Sequence, residues 1–185
     1  MQASAIFIAK SDAEFNAARS LFQEYAAALG IDLCFQHFDD ELGLLQIVVA
    51  APHSALRSKN DQTPRMLNVV NTRGVNILGH PRGRIYNFRK GLTADWSQVC
   101  NLAAELDKAV EIDCYPDRQD LNIELLKVAK AAGCRISLGT DSHDPSQLGF
   151  IDLGLAAALW SGIQPERILN FMPLNQLSKW IANIR

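Results

Sequence analysis

No stretch of this chain approaches the roughly 20 consecutive apolar residues that a membrane-crossing helix requires. The early apolar run Ala5–Ala9 is too short for a signal-peptide core. A cytoplasmic protein without a membrane partner is therefore expected. The four cysteines (Cys34, Cys100, Cys114, Cys134) lie far apart with no Cys-x-x-Cys pair. That spacing disfavours a thiolate zinc site or a dithiol redox motif and suits buried, reduced thiols. Low-complexity segments, obvious repeats and Gly/Ser linkers are lacking. Surplus charge is lacking too: the net charge of −2 gives no general pull toward nucleic acid or anionic lipid. Histidine is scarce, with only four. What remains is ordinary globular composition, 48% hydrophobic and 21% charged over 185 residues. A chain of that length buries roughly two-thirds of its unfolded surface.

Four segments run from an apolar, β-type stretch into a side chain that binds metals readily. They are Gln46–His53 (QIVVAAPH), Val75–His80 (VNILGH), Ala109–Asp113 (AVEID) and Arg135–His143 (RISLGTDSH). Helical periodicity lies between and after them. Trp96, Val99, Cys100, Ala103 and Leu106 form one stripe; Leu121, Leu125, Val128 and Ala132 form another, closed by Gly133. Asp144-Pro145 opens a helix expected to reach about Gly162, with Leu148, Ile151, Leu155 and Leu159 on its buried side. Pro165 and Pro173 start two short final helices. Ahead of these, Ser4–Lys10 reads as a strand. Ser11 and Glu14 form a capping box for a helix carrying Phe15, Ala18, Phe22, Tyr25 and Leu29. Continuous rather than alternating apolar strands predict a parallel sheet covered on both faces.

In such a sheet the C-terminal ends of the strands gather on one face, where sites are built. His53, His80, Asp141 and His143 all fall there. A lone histidine is more often packed or solvated than ligating, but three of four at successive strand ends favour a site. Imidazole and carboxylate suit Zn, Mn or Fe. Glu111 and Asp113 share one face of their strand, and each is a ligand, a partner to a histidine or a buried satisfied group; for Glu111 the histidine partner is preferred. Arg82, Arg84, Arg89 and Lys90 near Tyr86 and Phe88 make either a solvated loop or a phosphate clamp, since guanidinium presents a planar fork to phosphate oxygens. Arg118 in Tyr115–Leu121 is a second candidate of that kind.

On PHSAL (Pro52–Leu56), ILGHPRGR (Ile77–Arg84), VEIDCYPDRQDL (Val110–Leu121), ISLGTDSH (Ile136–His143) and ERILNFMPLNQL (Glu166–Leu177), residues 46–184 resemble the C-terminal part of PHP (polymerase and histidinol phosphatase) domains. The likeness is greatest to the PHP domain of bacterial family-X DNA polymerases. The resemblance implies a distorted parallel (β/α) barrel, a cluster of divalent metals and hydrolysis of phosphoesters. It places His53, His80, Asp141 and His143 on metal-ligand positions; for a phosphoesterase, Asp141 would complete the metal shell or orient the water, and His143 would bind metal or protonate the leaving oxygen. The chain departs from the family at its start. The His-x-His motif, the histidine of a Thr-Asp-His motif and the bridging Glu do not appear before Gln46, where His37 is the only histidine. Residues 11–45 instead resemble the opening helices of GNAT-type N-acetyltransferases, though the acetyl-CoA loop of such enzymes occurs nowhere in the chain.

The expectation is therefore an α/β protein of two segments forming one compact unit. Residues 1–45 would be a strand-helix start and residues 46–185 the C-terminal portion of a PHP-type barrel, with about five strands and incomplete closure. The activity expected is that of a metal-dependent phosphoesterase acting on a small phosphorylated substrate, with nucleic-acid binding weak at most. The alternative is a catalytically silent metal-binding or interaction module. Asp32, His37, Asp39 or Glu41 either replaces a missing ligand or forms a helix face and its cap. An open sheet edge makes a homodimer an expectation as well.

Overall fold

Short β-branched and aliphatic runs flanked by turn residues make the strands here, and each is followed by a helix that lies back across the sheet. The computed structural model describes residues 47–184 and, ahead of them, Ala13 alone. The expected strand Ser4–Lys10, the capped helix after Ser11, Asp32, Cys34, His37, Asp39 and Glu41 lie outside the described residues. Ile47–Arg185 forms a unit of its own. Its strands are β1 (Val49–Ala50), β2 (Ile77–Leu78), β3 (Ala109–Asp113) and β4 (Arg135–Gly139). Its helices are α1 (Thr63–Asn71), α2 (Trp96–Glu105), α3 (Ile123–Ala132), α4 (Ile151–Trp160) and α5 (Leu174–Ile184).

The strands pair in sequence order β1-β2-β3-β4, all parallel, with Ile77 opposite Ala109 and Glu111 opposite Ser137. This is an open sheet. It holds four strands among the described residues, one fewer than the five expected, and it does not close into a barrel. The outer edge of β4 is capped by a side chain: the Leu138 amide donates to Asn170 Oδ1 at 2.8 Å, and Asn170 Nδ2 donates to the Leu138 carbonyl at 3.1 Å. The primary amide thus substitutes for a neighbouring peptide and satisfies backbone groups that an open edge leaves unpaired. Among the described residues no helix is long and apolar enough to cross a membrane.

Alternation along the strands gives the sheet two unlike faces. Leu78, Val110, Ile112 and Ile136 pack against the helices, with Met66, Val99, Leu121 and Leu126. On the other face, Ile77 and Ala109 cluster with Trp180 and Ile181 of α5. Farther along that same face come Glu111 and Asp113, at the C-terminal end of β3. Apolar packing at one end and carboxylates at the other define where a polar site can form.

Local signals explain most boundaries. Asn122 accepts from the Leu125 amide at the start of α3, and Gly133 ends the helix at φ 78°. Asp95 caps α2 in the same way through the Gln98 amide. Helix α1 was not singled out by periodicity, although Pro64 sits in its first turn. One expectation fails. The segment after Asp144-Pro145 begins as a 3-10 helix (Pro145–Phe150) before becoming α4. A 3-10 turn rotates about 120° per residue rather than 100°, so it shifts the phase of everything downstream. Leu148 and Leu159 are consequently exposed, and Gly154, Ala157 and Ala158 are buried instead. A Cβ on Gly154 would collide with Cys114 Sγ, so small residues let α4 lie close on the sheet. Cys100, Cys114 and Cys134 are buried, and none is paired among the described residues.

Lys108 is 5% exposed, and its ammonium donates to the carbonyls of Val70 (2.6 Å) and Thr72 (2.7 Å). It thereby satisfies the C-terminal end of α1, and burial lowers its pKa. Lys108→Met keeps the stem and removes both bonds, so a loss of about 1–2 kcal/mol in unfolding free energy is expected by urea titration. An unchanged midpoint would show that the cap contributes nothing.

Candidate functional site

The ends of β2, β3 and β4 are separated by little more than backbone, because Gly79 and Gly139 carry no side chain. A Cβ on Gly79 would sit 2.7 Å from Val49 Cγ1 and 3.3 Å from Glu111 Oε2, and one on Gly139 would overlap Glu111 Oε1. Glu111 therefore occupies a slot between two glycines. There its Oε2 accepts from the His80 backbone amide at 2.7 Å. Burial pushes its carboxyl up to about 7, opposed by that hydrogen bond and reinforced by Asp113 and Asp141. Glu111 thus lies beside His80 and accepts from its backbone amide rather than from its ring.

His53 and His80 meet edge to face, with ring centroids 5.0 Å apart. His80 is half-buried and His53 exposed. Burial, then the neighbouring His53, lowers the His80 pKa, so its imidazole is neutral and carries a free lone pair at neutral pH. Its backbone stands at φ 22°, and Gln119 and Asp141 are also left-handed at 40° and 47°. Three non-glycine residues in this sparsely populated region sit around one set of loops, where strain is commonly stored at functional sites.

Asp141 and Arg118 form the second grouping. Arg118 Nη1 lies 3.0 Å from Asp141 Oδ2 and 3.8 Å from Asp113 Oδ2, and its Nε lies 3.3 Å from Asp117 Oδ1. Asp113 is 1% exposed, and burial raises its carboxyl to about 6 against a hydrogen bond from the Tyr115 amide. His143 is fixed at the edge of this group. Its Nδ1 is 2.7 Å from the Asp141 carbonyl, and its own amide donates to Gln147 Oε1 at 2.7 Å. A carbonyl can only accept, so Nδ1 carries the proton and Nε2 is left with the lone pair.

The basic loop folds back on itself through antiparallel pairing of Ile85 with Arg89. Arg82, Arg84, Arg89, Lys90, Tyr86 and Phe88 line a cleft of about 630 Å³. Arg82 Nη2 donates to the Lys90 carbonyl at 2.7 Å, while Arg84 lies 5.8 Å from the Tyr86 ring. The backbone amides of Arg82 and Arg84 both donate to Asp120 Oδ2, at 2.9 and 3.3 Å. Asp120 was not singled out by its spacing, because its partners lie 36 and 38 residues away. Arg118 does not line this cleft.

The donor types here, imidazole and carboxylate, suit a divalent cation. The arrangement does not complete a site: among the described residues, no three His, Cys, Asp or Glu side chains are grouped to hold a metal ion. His53 and His80 pair with each other, Asp141 is held by Arg118, and His143 binds the Asp141 backbone.

No family model matches the chain. It is 26% identical over 91% of its length to the DNA polymerase/3'-5' exonuclease PolX of Bacillus subtilis (strain 168), covering 31% of that protein. It is 28% identical over 76% of its length to a probable phosphatase of Shewanella frigidimarina (strain NCIMB 400), covering 58% of it. A probable phosphatase of Caldicellulosiruptor bescii is 25% identical over 71% of the chain and 56% of that protein. The chain thus spans about a third to somewhat over half the length of these relatives. Nothing among them supports the acetyltransferase resemblance of residues 11–45, and the PolX match, at 91% of the chain, extends into those residues.

Proposed function

We propose that this chain is a phosphoesterase of PHP type, acting on a small phosphomonoester or nucleotide-like substrate with a divalent metal (Zn, Mn or Fe) as cofactor. The observation that supports this reading is that His53, His80, Glu111, Asp113, Asp141 and His143 lie at or just beyond the C-terminal ends of the four parallel strands, with the Arg82–Arg84 cleft formed by the loop that leaves His80. The metal would supply a water of lowered pKa. Its donor set would need residues beyond those described.

The chain's own residues have definable parts. Arg82 and Arg84 would hold phosphate oxygens in the basic cleft. His143 presents Nε2 with Nδ1 fixed, so it would accept a proton from water or, once protonated, give one to the leaving oxygen. The neutral His80 would offer a lone pair rather than a positive charge. Small phosphoesters are favoured over nucleic acid because the net charge is −2 and cationic side chains concentrate only in the Arg82–Lys90 loop.

Purified protein supplied with Mn²⁺ or Zn²⁺ should release phosphate from an aryl phosphate. His80→Ala and His143→Ala should each lower the rate at least about tenfold. Undiminished rates in both variants would overturn these assignments. The silent module is the second reading, favoured by the absence of a three-donor group among the described residues. Elemental analysis with the phosphatase assay divides the two: tightly held metal together with phosphate release that is lost in His80→Ala would exclude the silent module. No metal, with no activity on adding it, would exclude the enzyme.

A further inference from the structure

The loop between β2 and α2 gathers positive charge without neutralising it. Arg82, Arg84, Arg89 and Lys90 line its cleft of about 630 Å³, and no acidic residue does. Among the described residues none of the four forms an ion pair with a carboxylate side chain. Asp120 is fully buried beside them, and its Oδ2 accepts from the backbone amides of Arg82 and Arg84. A cleft lined by one sign of charge draws an anion.

Two rings stand in the same cleft. Tyr86 is 62% exposed and Phe88 64%, at the tip of a turn closed by reciprocal backbone bonds of 2.9 and 2.8 Å between Ile85 and Arg89. Asn87 separates them in the left-handed region, at φ 57°. Each ring has a guanidinium over it. Arg84 Cζ is 5.8 Å from the Tyr86 centroid, and Arg57 Cζ, from the loop after β1, is 4.5 Å from that of Phe88. These contacts steady the rings while leaving more than half of each in water. Exposed aromatic surface among cations is the lining on which nucleobases stack while their phosphates are held.

We propose that this cleft binds a nucleoside monophosphate, its base stacked on Tyr86 and Phe88 and its phosphate among Arg82, Arg84 and Lys90. The inference rests on the reading of the cleft as a phosphate clamp and adds what the rest of the ligand is. Arg82 also braces the wall, donating to the Lys90 carbonyl at 2.7 Å, whereas Arg84 reaches the Gln119 carbonyl at 3.5 Å, the weaker hold. Arg84 is therefore the guanidinium more readily turned to a phosphate. The volume is that of a small-ligand site. Cations confined to one loop grip one phosphate rather than a run of them, which favours a mononucleotide over a strand.

The test is calorimetric titration of the full chain, with EDTA present to stop turnover, against adenosine 5′-monophosphate, ribose 5-phosphate and adenosine. The nucleotide should bind at least about tenfold more tightly than either fragment. Tyr86→Ala combined with Phe88→Ala should remove that advantage and leave ribose 5-phosphate unchanged, while Tyr86→Phe should keep it. Arg84→Gln should weaken nucleotide and sugar phosphate alike. Equal affinity for the nucleotide and ribose 5-phosphate would overturn the proposal. So would a double variant that keeps the preference, or no nucleotide binding up to about 10 mM. A thymidine oligonucleotide binding more than about a hundredfold tighter than the mononucleotide would make the cleft a nucleic-acid groove and overturn it too. Phosphate release plays no part in the measurement, so failure of the phosphoesterase reading and failure of this one are told apart.

Discussion

Asp120→Ala should lower the unfolding free energy by about 3 kcal/mol, while Asp120→Asn should cost no more than about 1 kcal/mol. Asp120 is fully buried, and its Oδ2 accepts from the amides of both Arg82 and Arg84. Its backbone pairs with Asp113 in both directions, so the loop after β3 is tied to the strand end. Alanine leaves two amides without an acceptor in a site where water does not replace it, and each such orphan costs about 1–3 kcal/mol. Asparagine retains one oxygen to accept both bonds. It places its NH₂ where Asp120 Oδ1 has no partner among the described residues. Burial raises the Asp120 pKa, so a neutral side chain suits the position. Guanidinium titration gives the stabilities, and amide exchange at Arg82 and Arg84 reports the loop directly. An Asp120→Ala protein within about 1 kcal/mol of the parent, with those amides still protected, would show that the loop is held by other means.

Glu111→Gln should raise stability by about 2 kcal/mol near pH 8 and leave it unchanged near pH 4. The sign follows from the direction of the shift. Glu111 titrates at about 7 in the folded chain against 4.5 when unperturbed, chiefly because it is buried. A group whose folded pKa is raised contributes stability that is fully present below the unfolded value and is lost as pH rises through the folded one. The displacement sets an upper limit of about 3 kcal/mol, reduced by solvent at the partly open side of the slot. Asp113, raised to about 6 from 3.8, acts in the same direction over a lower window. Glutamine keeps an oxygen to accept from the His80 amide and removes the charge that the glycine slot must desolvate. Thermal melts across that range supply the measurement. A variant that loses stability near pH 8 would mean that ionised Glu111 is stabilised by a partner, and the slot would have to be redrawn. A carboxylate that weakens the fold near neutrality is the pattern expected of a site kept for function.

Much of the fold could be read before any coordinates. The strands Ala109–Asp113 and the start of Arg135–Gly139 fall where the apolar runs place them, and Asn122 and Gly133 bracket α3 as capping rules require. Those features depend on residues within a few positions of one another. The buried face of α4 departs from the one its periodicity predicts because phase accumulates along a helix: six residues of 3-10 geometry after Asp144 turn Leu148 and Leu159 outward. No local pattern announces that change of pitch. The β1 and β2 strands shrink to two residues each, since strand length depends on how far a neighbour continues the pairing.

By itself, the sequence determined that this is an alternating α/β chain with histidines and aspartates at the ends of its strands. It could do so because hydrophobic period and turn chemistry are local properties that survive without tertiary contacts. Which of those side chains meet was decided only by the tertiary structure. Arg118 and Asp141 are 23 residues apart, and Glu111 reaches the His80 amide across 31. The Glu111 contact depends on the sheet register and on the absence of side chains at Gly79 and Gly139, which lets the carboxylate enter between strands. The burial that raises Glu111 and Asp113 is likewise a property of the assembled face, because desolvation depends on every neighbour at once and on none of them alone.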